Sequence, residues 1–380
     1  MRIVYGVHGY GRGHATRTLA ILPELCRRHE VRLLAGGDAY EAIHNDFGYD
    51  VLQIPTLGFA YGKGTGKRSN LQTMRRNVSA MLDLKLRGAI FEMVQNAVEA
   101  FNPDIVISDA ETWTHHVARY LKIPRISVDH IGIMAYCKPK IELRDRLEAR
   151  FDTFVYRQLM GQPDRIIVSS FYEAPPRRSG VKVVPTLVRD AIYEITPTDS
   201  DHLLVYFNRG KDQFNKRIFR TLQEAGCPIH IYGANREGSE GNLTFFPPSN
   251  VAFLEDLASC RGVISTAGNQ LMGETIYLGK PVLVIPERCV EQRLNAAGVV
   301  NLGIGMRTTR GKFKPKLIRE FLDRSDEFRT NMKAHVRDGK QETLDALEQF
   351  MLELAPGGAP AVEHNAETTL KKARIQQATV

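Results

Sequence analysis

Near the amino terminus, nine consecutive residues combine a backbone that can approach a ligand closely with side chains that can move a proton or hold an anion: Gly9-Tyr10-Gly11-Arg12-Gly13-His14-Ala15-Thr16-Arg17. Glycine at alternate positions lets the chain turn sharply, and the start of the helix beyond favours negative charge, so Gly11 and Gly13 are candidate contacts for a phosphorylated ligand. Imidazole suits general-base chemistry near neutral pH, which makes His14 the candidate base; the alternative is a helix-start histidine that only hydrogen-bonds its own loop. Arg17, one turn further on, either reaches an anion or sits on a solvated face. The pattern is not the dinucleotide fingerprint, because His14 stands where the third glycine belongs and no acid lies about 20 residues on at the end of a second strand. A nicotinamide cofactor is therefore not expected.

A second polar constellation lies in the other half of the chain. Ser265-Thr266-Ala267-Gly268-Asn269 leads into Gln270-Leu271-Met272-Gly273-Glu274, Leu278-Gly279-Lys280-Pro281 delivers the apolar run Val282 to Ile285, and Glu291-Gln292-Arg293-Leu294-Asn295-Ala296 follows. Physically this reads as strand, small-residue turn, helix, tight turn, buried strand, loop and helix. Gly268 and Asn269 would present helix-start N–H groups to a diphosphate, and Glu274, about a turn and a half in, would accept hydrogen bonds from a ribose diol. In Phe207-Asn208-Arg209-Gly210-Lys211, Arg209 or Lys211 could neutralise a leaving diphosphate or simply cap a helix. Asp109 and Glu111, after Ile105 to Ser108, could orient His14, touch an acceptor, or cap the next helix.

Other motifs carry less. Asp199-Ser200-Asp201 imitates a metal-binding acid pair but sits among turn residues before a strand, and reads as a turn. His115 and His116 are adjacent in a helical pattern, point roughly 100° apart and cannot chelate one metal well. Gly62-Lys63-Gly64-Thr65-Gly66-Lys67 is one residue short of a phosphate loop, with Arg68 where Ser or Thr belongs. No metal is expected. The five cysteines are scattered, with no C-x-x-C spacing, and read as reduced thiols. A net charge of +8 favours an acidic partner. Lys63, Lys67, Arg68, Arg75 and Arg76, joined by Lys138, Lys140, Arg144, Arg146 and Arg150, would attract an acidic acceptor or an anionic membrane surface, or merely be solvated. Aromatic interleaving of the nucleic-acid kind is sparse, so no nucleic acid is expected.

These residues need elements to hold them. At 380 residues, 43% hydrophobic and 25% charged, the chain is globular and long enough for two cores. No apolar run approaches the roughly 20 residues that cross a bilayer, and a cytoplasmic protein is expected. Short β-branched runs alternate with amphipathic stretches: Ile3 to Val7, Val31 to Leu34, Val51 to Ile54, Ile105 to Ser108, Ile126 to Val128, Ile166 to Val168 and Val181 to Val184, with helices over Ala15 to Arg28, Leu71 to Phe101 and Thr114 to Leu121. The scheme restarts at Leu203 to Phe207. The expectation is an α/β protein of two doubly wound, Rossmann-like domains facing a cleft, residues 1–185 and 202–354, joined by a linker at 186–201 and followed by a mobile tail at 355–380.

The segment Ser265 to Ala296 resembles the nucleotide-sugar signature of GT-B fold glycosyltransferases, in particular the UDP-glycosyltransferases and the peptidoglycan enzyme that transfers N-acetylglucosamine to lipid I. The matching residues are Gly268, Glu274, Gly279, Pro281, Glu291, Gln292 and Asn295-Ala296. Val251 to Leu257 is similar to the segment whose backbone holds the uracil ring, and Gly9 to Arg17 is similar to the glycine loop that ends in the catalytic histidine, most closely in a bacterial and archaeal subgroup that also has an acid at the Asp109 position. The resemblance spans about Arg2 to Leu354. It implies His14 as base with Asp109 near it, Leu254 as a backbone uracil contact, Gly268 and Asn269 at the diphosphate, Thr266 in the nucleotide-sugar site, Glu274 at the ribose, and Glu291 with Gln292 at the donor sugar. Glu291 replaces the commoner Asp, and Thr266-Ala267-Gly268 replaces His-Gly-Gly or Arg-Ser-Gly. The implied activity is an inverting, metal-independent transfer from a nucleotide-diphosphate donor, UDP-sugar as substrate with no cofactor required, to a hydroxyl acceptor, acidic or lipid-linked, in cell-envelope glycan synthesis with peripheral membrane contact. A nucleotide-sugar epimerase or hydrolase on the same scaffold, or a non-catalytic nucleotide-sugar-binding protein, is the alternative.

Overall fold

The computed structural model describes residues 1–58, 70–207, 213–247 and 249–354. The near-continuous apolar runs become parallel strands buried on both faces, as Ile105, Val106 and Ile107, all fully buried, illustrate. One sheet consists of β1 (Arg2–Val7), β2 (Glu30–Ala35), β3 (Val51–Gln53), β4 (Ile105–Asp109), β5 (Arg125–Asp129), β6 (Arg165–Ser169) and β7 (Val181–Val184). Its order is β3-β2-β1-β4-β5-β6-β7, parallel throughout. The other contains β8 (Leu203–Tyr206), β9 (Ile229–Tyr232), β10 (Gly238–Glu240), β11 (Leu243–Phe245), β12 (Gly262–Ser265), β13 (Val282–Val284) and β14 (Gly305–Arg307). Its order is β10-β11-β9-β8-β12-β13-β14, with only β10 and β11 antiparallel. The α/β class and two doubly wound sheets are as expected. β10 and β14 are additions: both are short edge strands, and neither Gly-Ser-Glu nor Gly-Met-Arg carries an apolar run.

Strand order reverses between β1 and β4 in the first sheet and between β8 and β12 in the second. Open parallel sheets bind ligands outside the carboxyl ends of their strands at such switch points. The loops there are those after β1, β4, β8 and β12, and they carry the polar residues picked out above.

Local chemistry fixes the helices that follow. Glu111, and not Asp109, caps the Thr112–Leu121 helix, its carboxylate accepting from Trp113 N (2.9 Å), Thr114 N (2.7 Å) and Thr114 Oγ1 (2.7 Å). That helix rests on β1 at Gly6, where a Cβ would lie 2.2 Å from Thr114 Oγ1. Gly6→Ala is therefore expected to destabilise the fold by about 1–3 kcal/mol, read as a lowered urea midpoint at unchanged m-value.

The single helix expected from Leu71 to Phe101 is two, Asn70–Leu86 and Ala89–Phe101, broken at Arg87 (φ 55°) and Gly88, with Asp83 accepting from the amides of Ile90 and Phe91. The segment expected as a linker is packed against the body of the protein, with Thr186, Leu187, Val188 and Ile192 buried. The last helix, Gly339–Leu354, returns to the first sheet, where Leu344, Leu347, Phe350 and Met351 share a core with Ile21, Leu25, Ile126 and Ile167. This helix was expected with the second sheet, because a chain-order reading cannot see a carboxy-terminal segment cross back. The expected tail, 355–380, lies outside the described residues.

Candidate active site

At the end of β1 the chain enters the glycine loop and then the Arg12–Arg28 helix. His14 lies on the first turn of that helix, with its Nδ1 2.7 Å from Asp109 Oδ1 at the end of β4. A proton on Nδ1 donates to this fully buried carboxylate, which can only accept, and that tautomer has its lone pair on Nε2; Arg17 Nη2 stands 3.0 Å from the same Nδ1. Arg17 clamps the same carboxylate through Nε to Oδ2 (2.8 Å) and Nη2 to Oδ1 (2.7 Å). Burial alone would raise the Asp109 carboxyl, but the Arg17 guanidinium and then His14 outweigh it and hold it below the ordinary carboxylate range. The His8 ring stands edge-on to His14 at 5.0 Å; burial and then His14 push its pKa down to about 3, so His8 stays neutral. A base oriented by an ionised, buried acid is the arrangement that holds an imidazole in one tautomer.

The three loop glycines serve different ends. Gly9 allows close approach, since a Cβ there would lie 2.1 Å from Gly36 O and from Thr56 Oγ1, and Gly11 adopts φ +82°. The N–H of Gly11, expected to face a nucleotide-sugar, donates instead to Asp38 Oδ2 at 2.8 Å. Asp38 follows closely on β2, so an acid does lie past the second strand; it goes unnoticed in sequence because the turn Gly36-Gly37 separates it from the apolar run. Gly13 faces the other half of the molecule, where a Cβ would come 4.0 Å from Gln270 Cβ.

Gln270 belongs to the Asn269–Tyr277 helix, which follows β12 and the Thr266-Ala267-Gly268 turn. No side chain caps this helix at Gly268, and a Cβ at Gly268 would meet only open space, so the helix start is accessible. Thr266 is buried beside it. Gln292, expected at the donor sugar, braces the turn by accepting from Ala267 N at 2.8 Å. The Asn269 side chain, expected at a diphosphate, ties the two halves together: Nδ2 donates to Ser169 O (3.2 Å) and Oδ1 accepts from Phe171 N (3.3 Å). Only its backbone N–H remains for an anion.

Glu274 is 1% exposed and held at both oxygens by Arg189, Nε and Nη2 each at 2.8 Å. Arg189 was missed because it falls in the supposed linker. Leu254 is corrected outright. It sits inside the Asn250–Ser259 helix, its side chain in the core, so its N–H is spent in the helical ladder and does not face a base as a free donor. Arg209 and Lys211 lie outside the described residues, as do Gly62 to Arg68.

The two halves meet around Asn295, whose Oδ1 lies 2.9 Å from His130 Nε2 and accepts from Tyr172 OH (3.2 Å), while Nδ2 donates to Ala267 O (2.9 Å). Arg293 pairs across the gap with Asp145 (3.0 Å) and Glu148 (2.6 Å). Half-buried Glu291 lies within the field of His14 and Arg17, although burial, and then Glu287, push its carboxyl upward overall. Thus His14, Asp109, Gly13, Gly268, Glu291 and Gln292 come together along one gap, and Glu274 lies behind it on the Asn269–Tyr277 helix. Asp199 makes ion pairs with Lys280 and Arg329, as a structural turn residue would. Among the described residues, His202, His230 and Asp256 bring ligand atoms within 4.8 Å of one another. His202 and His230 lie at the amino ends of β8 and β9 and Asp256 on the Asn250–Ser259 helix, away from the strand-end loops.

Two doubly wound sheets whose switch-point loops face one another define the GT-B fold. The model of glycosyl transferase family 1 matches residues 1–325, and the chain belongs to that family. An uncharacterized glycosyltransferase of Methanosarcina acetivorans is 26% identical over 336 residues, which cover 80% of this chain and 85% of that protein. Among solved structures, the calicheamicin glycosyltransferase CalG4 aligns with a TM-score of 0.66 at 17% identity, covering 94% of this chain and 100% of that one. Phytolacca americana UGT2, complexed with UDP-2-fluoro-glucose and pterostilbene, aligns with a TM-score of 0.64 at 16% identity, covering 93% and 98%. No helix among the described residues is long and apolar enough to cross a membrane.

Proposed function

We propose that this glycosyltransferase moves a hexose from a nucleotide-diphosphate donor, UDP-sugar by preference, to a hydroxyl acceptor with inversion and without a metal. The observation that carries the reading is the His14–Asp109 pair, which leaves Nε2 as a base at the mouth of a gap whose other wall is the uncapped start of the Asn269–Tyr277 helix. The diphosphate sits on the amides of Gly268 and Asn269, where the helix start supports its negative charge, and the acceptor lies against the first sheet. Nε2 takes the hydroxyl proton as the oxygen attacks the anomeric carbon from the face opposite the diphosphate. The new C–O bond forms as the old one breaks, the bonding pair leaves with the diphosphate, and configuration inverts. Charge on the leaving group is met by backbone dipoles at the helix start, so no bound cation need enter the step. The UDP-2-fluoro-glucose complex of the UGT2 neighbour supports a UDP donor by analogy of fold.

Glu274 receives the ribose diol. Its carboxylate has lone-pair sites beyond the two taken by Arg189, and a nucleotide shares or displaces that partner. A thermal-shift screen of nucleotide diphosphates and their sugars tests the assignment. UDP is expected to raise the melting temperature, and Glu274→Ala to weaken UDP roughly 10- to 100-fold, the loss of a charge-assisted hydrogen bond. Unchanged affinity in Glu274→Ala would remove the nucleotide from this helix.

A further inference from the structure

A groove of about 1270 Å³ lies on the flank of the first sheet's helical layer, along the Arg146–Met160 helix. None of the residues of the active-site gap line it. Its walls carry Lys140 and six arginines, Arg119, Arg125, Arg146, Arg150, Arg157 and Arg177, with no aspartate or glutamate among them. Arg157 donates to Ala135 O, and Arg125 to His115 O and Gln162 O; carbonyl partners leave the charges largely uncompensated, with only Asp164 near Arg125 at 3.9 Å. Among the described residues, Arg119, Arg146, Arg150 and Arg177 have no ion pair. So many like charges around one concavity repel each other and favour a multivalent anion, and guanidinium groups match phosphate oxygens in shape.

The helix has a second face. Arg146, Arg150 and Arg157 recur at helical spacing toward the groove, while Leu147 (78% exposed) and Phe151 (50%) continue a stripe begun by Leu143 (77%) in the preceding turn, and Phe154 (60%), at the groove wall, joins the stripe to it. Side chains of this size are ordinarily covered, and a cationic face beside an apolar one is the pattern of a helix lying in a lipid interface.

We propose that this flank docks on an anionic lipid surface, with headgroup phosphates in the arginine groove and Leu143, Leu147, Phe151 and Phe154 entering the acyl boundary. The proposal stands on the groove and stripe alone and is independent of the donor and mechanism assigned above.

Flotation of the full chain with vesicles tests it. Vesicles of phosphatidylcholine mixed with phosphatidylglycerol are expected to carry the protein at least about tenfold better than phosphatidylcholine alone, with binding falling as salt rises. Arg146→Glu/Arg150→Glu is expected to abolish recruitment. Leu147→Ser/Phe151→Ser, at exposed positions that leave the core intact, is expected to lower it several-fold. Calorimetric titration with inorganic pyrophosphate separates the two sources of phosphate: a groove that binds pyrophosphate while vesicles recruit nothing belongs to a soluble anion and overturns the proposal. Equal binding to both vesicle types, or a serine double variant recruited as well as the parent, overturns it too.

Discussion

Replacing His14 with alanine is expected to lower turnover about 10²- to 10⁴-fold while leaving UDP affinity within about twofold, because general-base assistance is lost and the nucleotide wall is untouched. The two effects separate because the imidazole belongs to the helix after β1 and the diphosphate site to the helix after β12, in different sheets. Initial rates and a titration with UDP on the same preparation check this. A non-catalytic nucleotide-sugar-binding protein would have no turnover to lose. A hydrolase or epimerase would consume donor at full rate with no acceptor present, so donor consumption measured with and without acceptor distinguishes it from a transferase.

Asp109→Asn carries the second large effect, with two components that can be pulled apart. An amide at this position can present N–H to Nδ1 and stabilise the tautomer in which Nε2 is protonated, which cannot act as the base. A loss of about 10³- to 10⁴-fold in kcat with little change in KM is expected, by analogy with triads in which the orienting acid is neutralised. The same change leaves Arg17, 4% exposed, without its counter-ion, and removing one partner of a buried pair costs about 3–5 kcal/mol. Arg17→Met in the Asp109→Asn background relieves the uncompensated charge, so denaturant melts are expected to recover much of the stability while turnover stays low. Recovery of both together would mean that Asp109 acts only as a structural anchor.

Most of the architecture was legible in the sequence because buried parallel strands leave continuous β-branched runs, and Ile3 to Val7 or Ile105 to Ser108 need no context to be recognised. Edge strands such as Gly238–Glu240 leave no such trace. In the site, strand-end loops could be located from the runs that feed them, and so His14 and Asp109 were named together. Their division of labour with Glu111 was not legible: it depends on Ala110 at φ +50°, which turns Asp109 toward His14 and leaves Glu111 to cap the helix. The partners that reassign Gly11, Asn269, Gln292 and Glu274 are Asp38, Ser169 with Phe171, Ala267 and Arg189, each remote in sequence and brought close only by folding. Leu254 was misplaced for a local reason. Val251 to Leu257 has helix-compatible spacing, with Ser249 capping it through Ala252 N, and a family likeness to a binding segment hid that signal.

A crystal structure of the UDP complex tests the central claim most directly. The diphosphate is expected on the amides of Gly268 and Asn269, the ribose within reach of Glu274, and an open approach from the β-phosphate to Nε2 of His14. A nucleotide seated elsewhere, or one whose diphosphate is walled off from His14 by the chain itself, would contradict it.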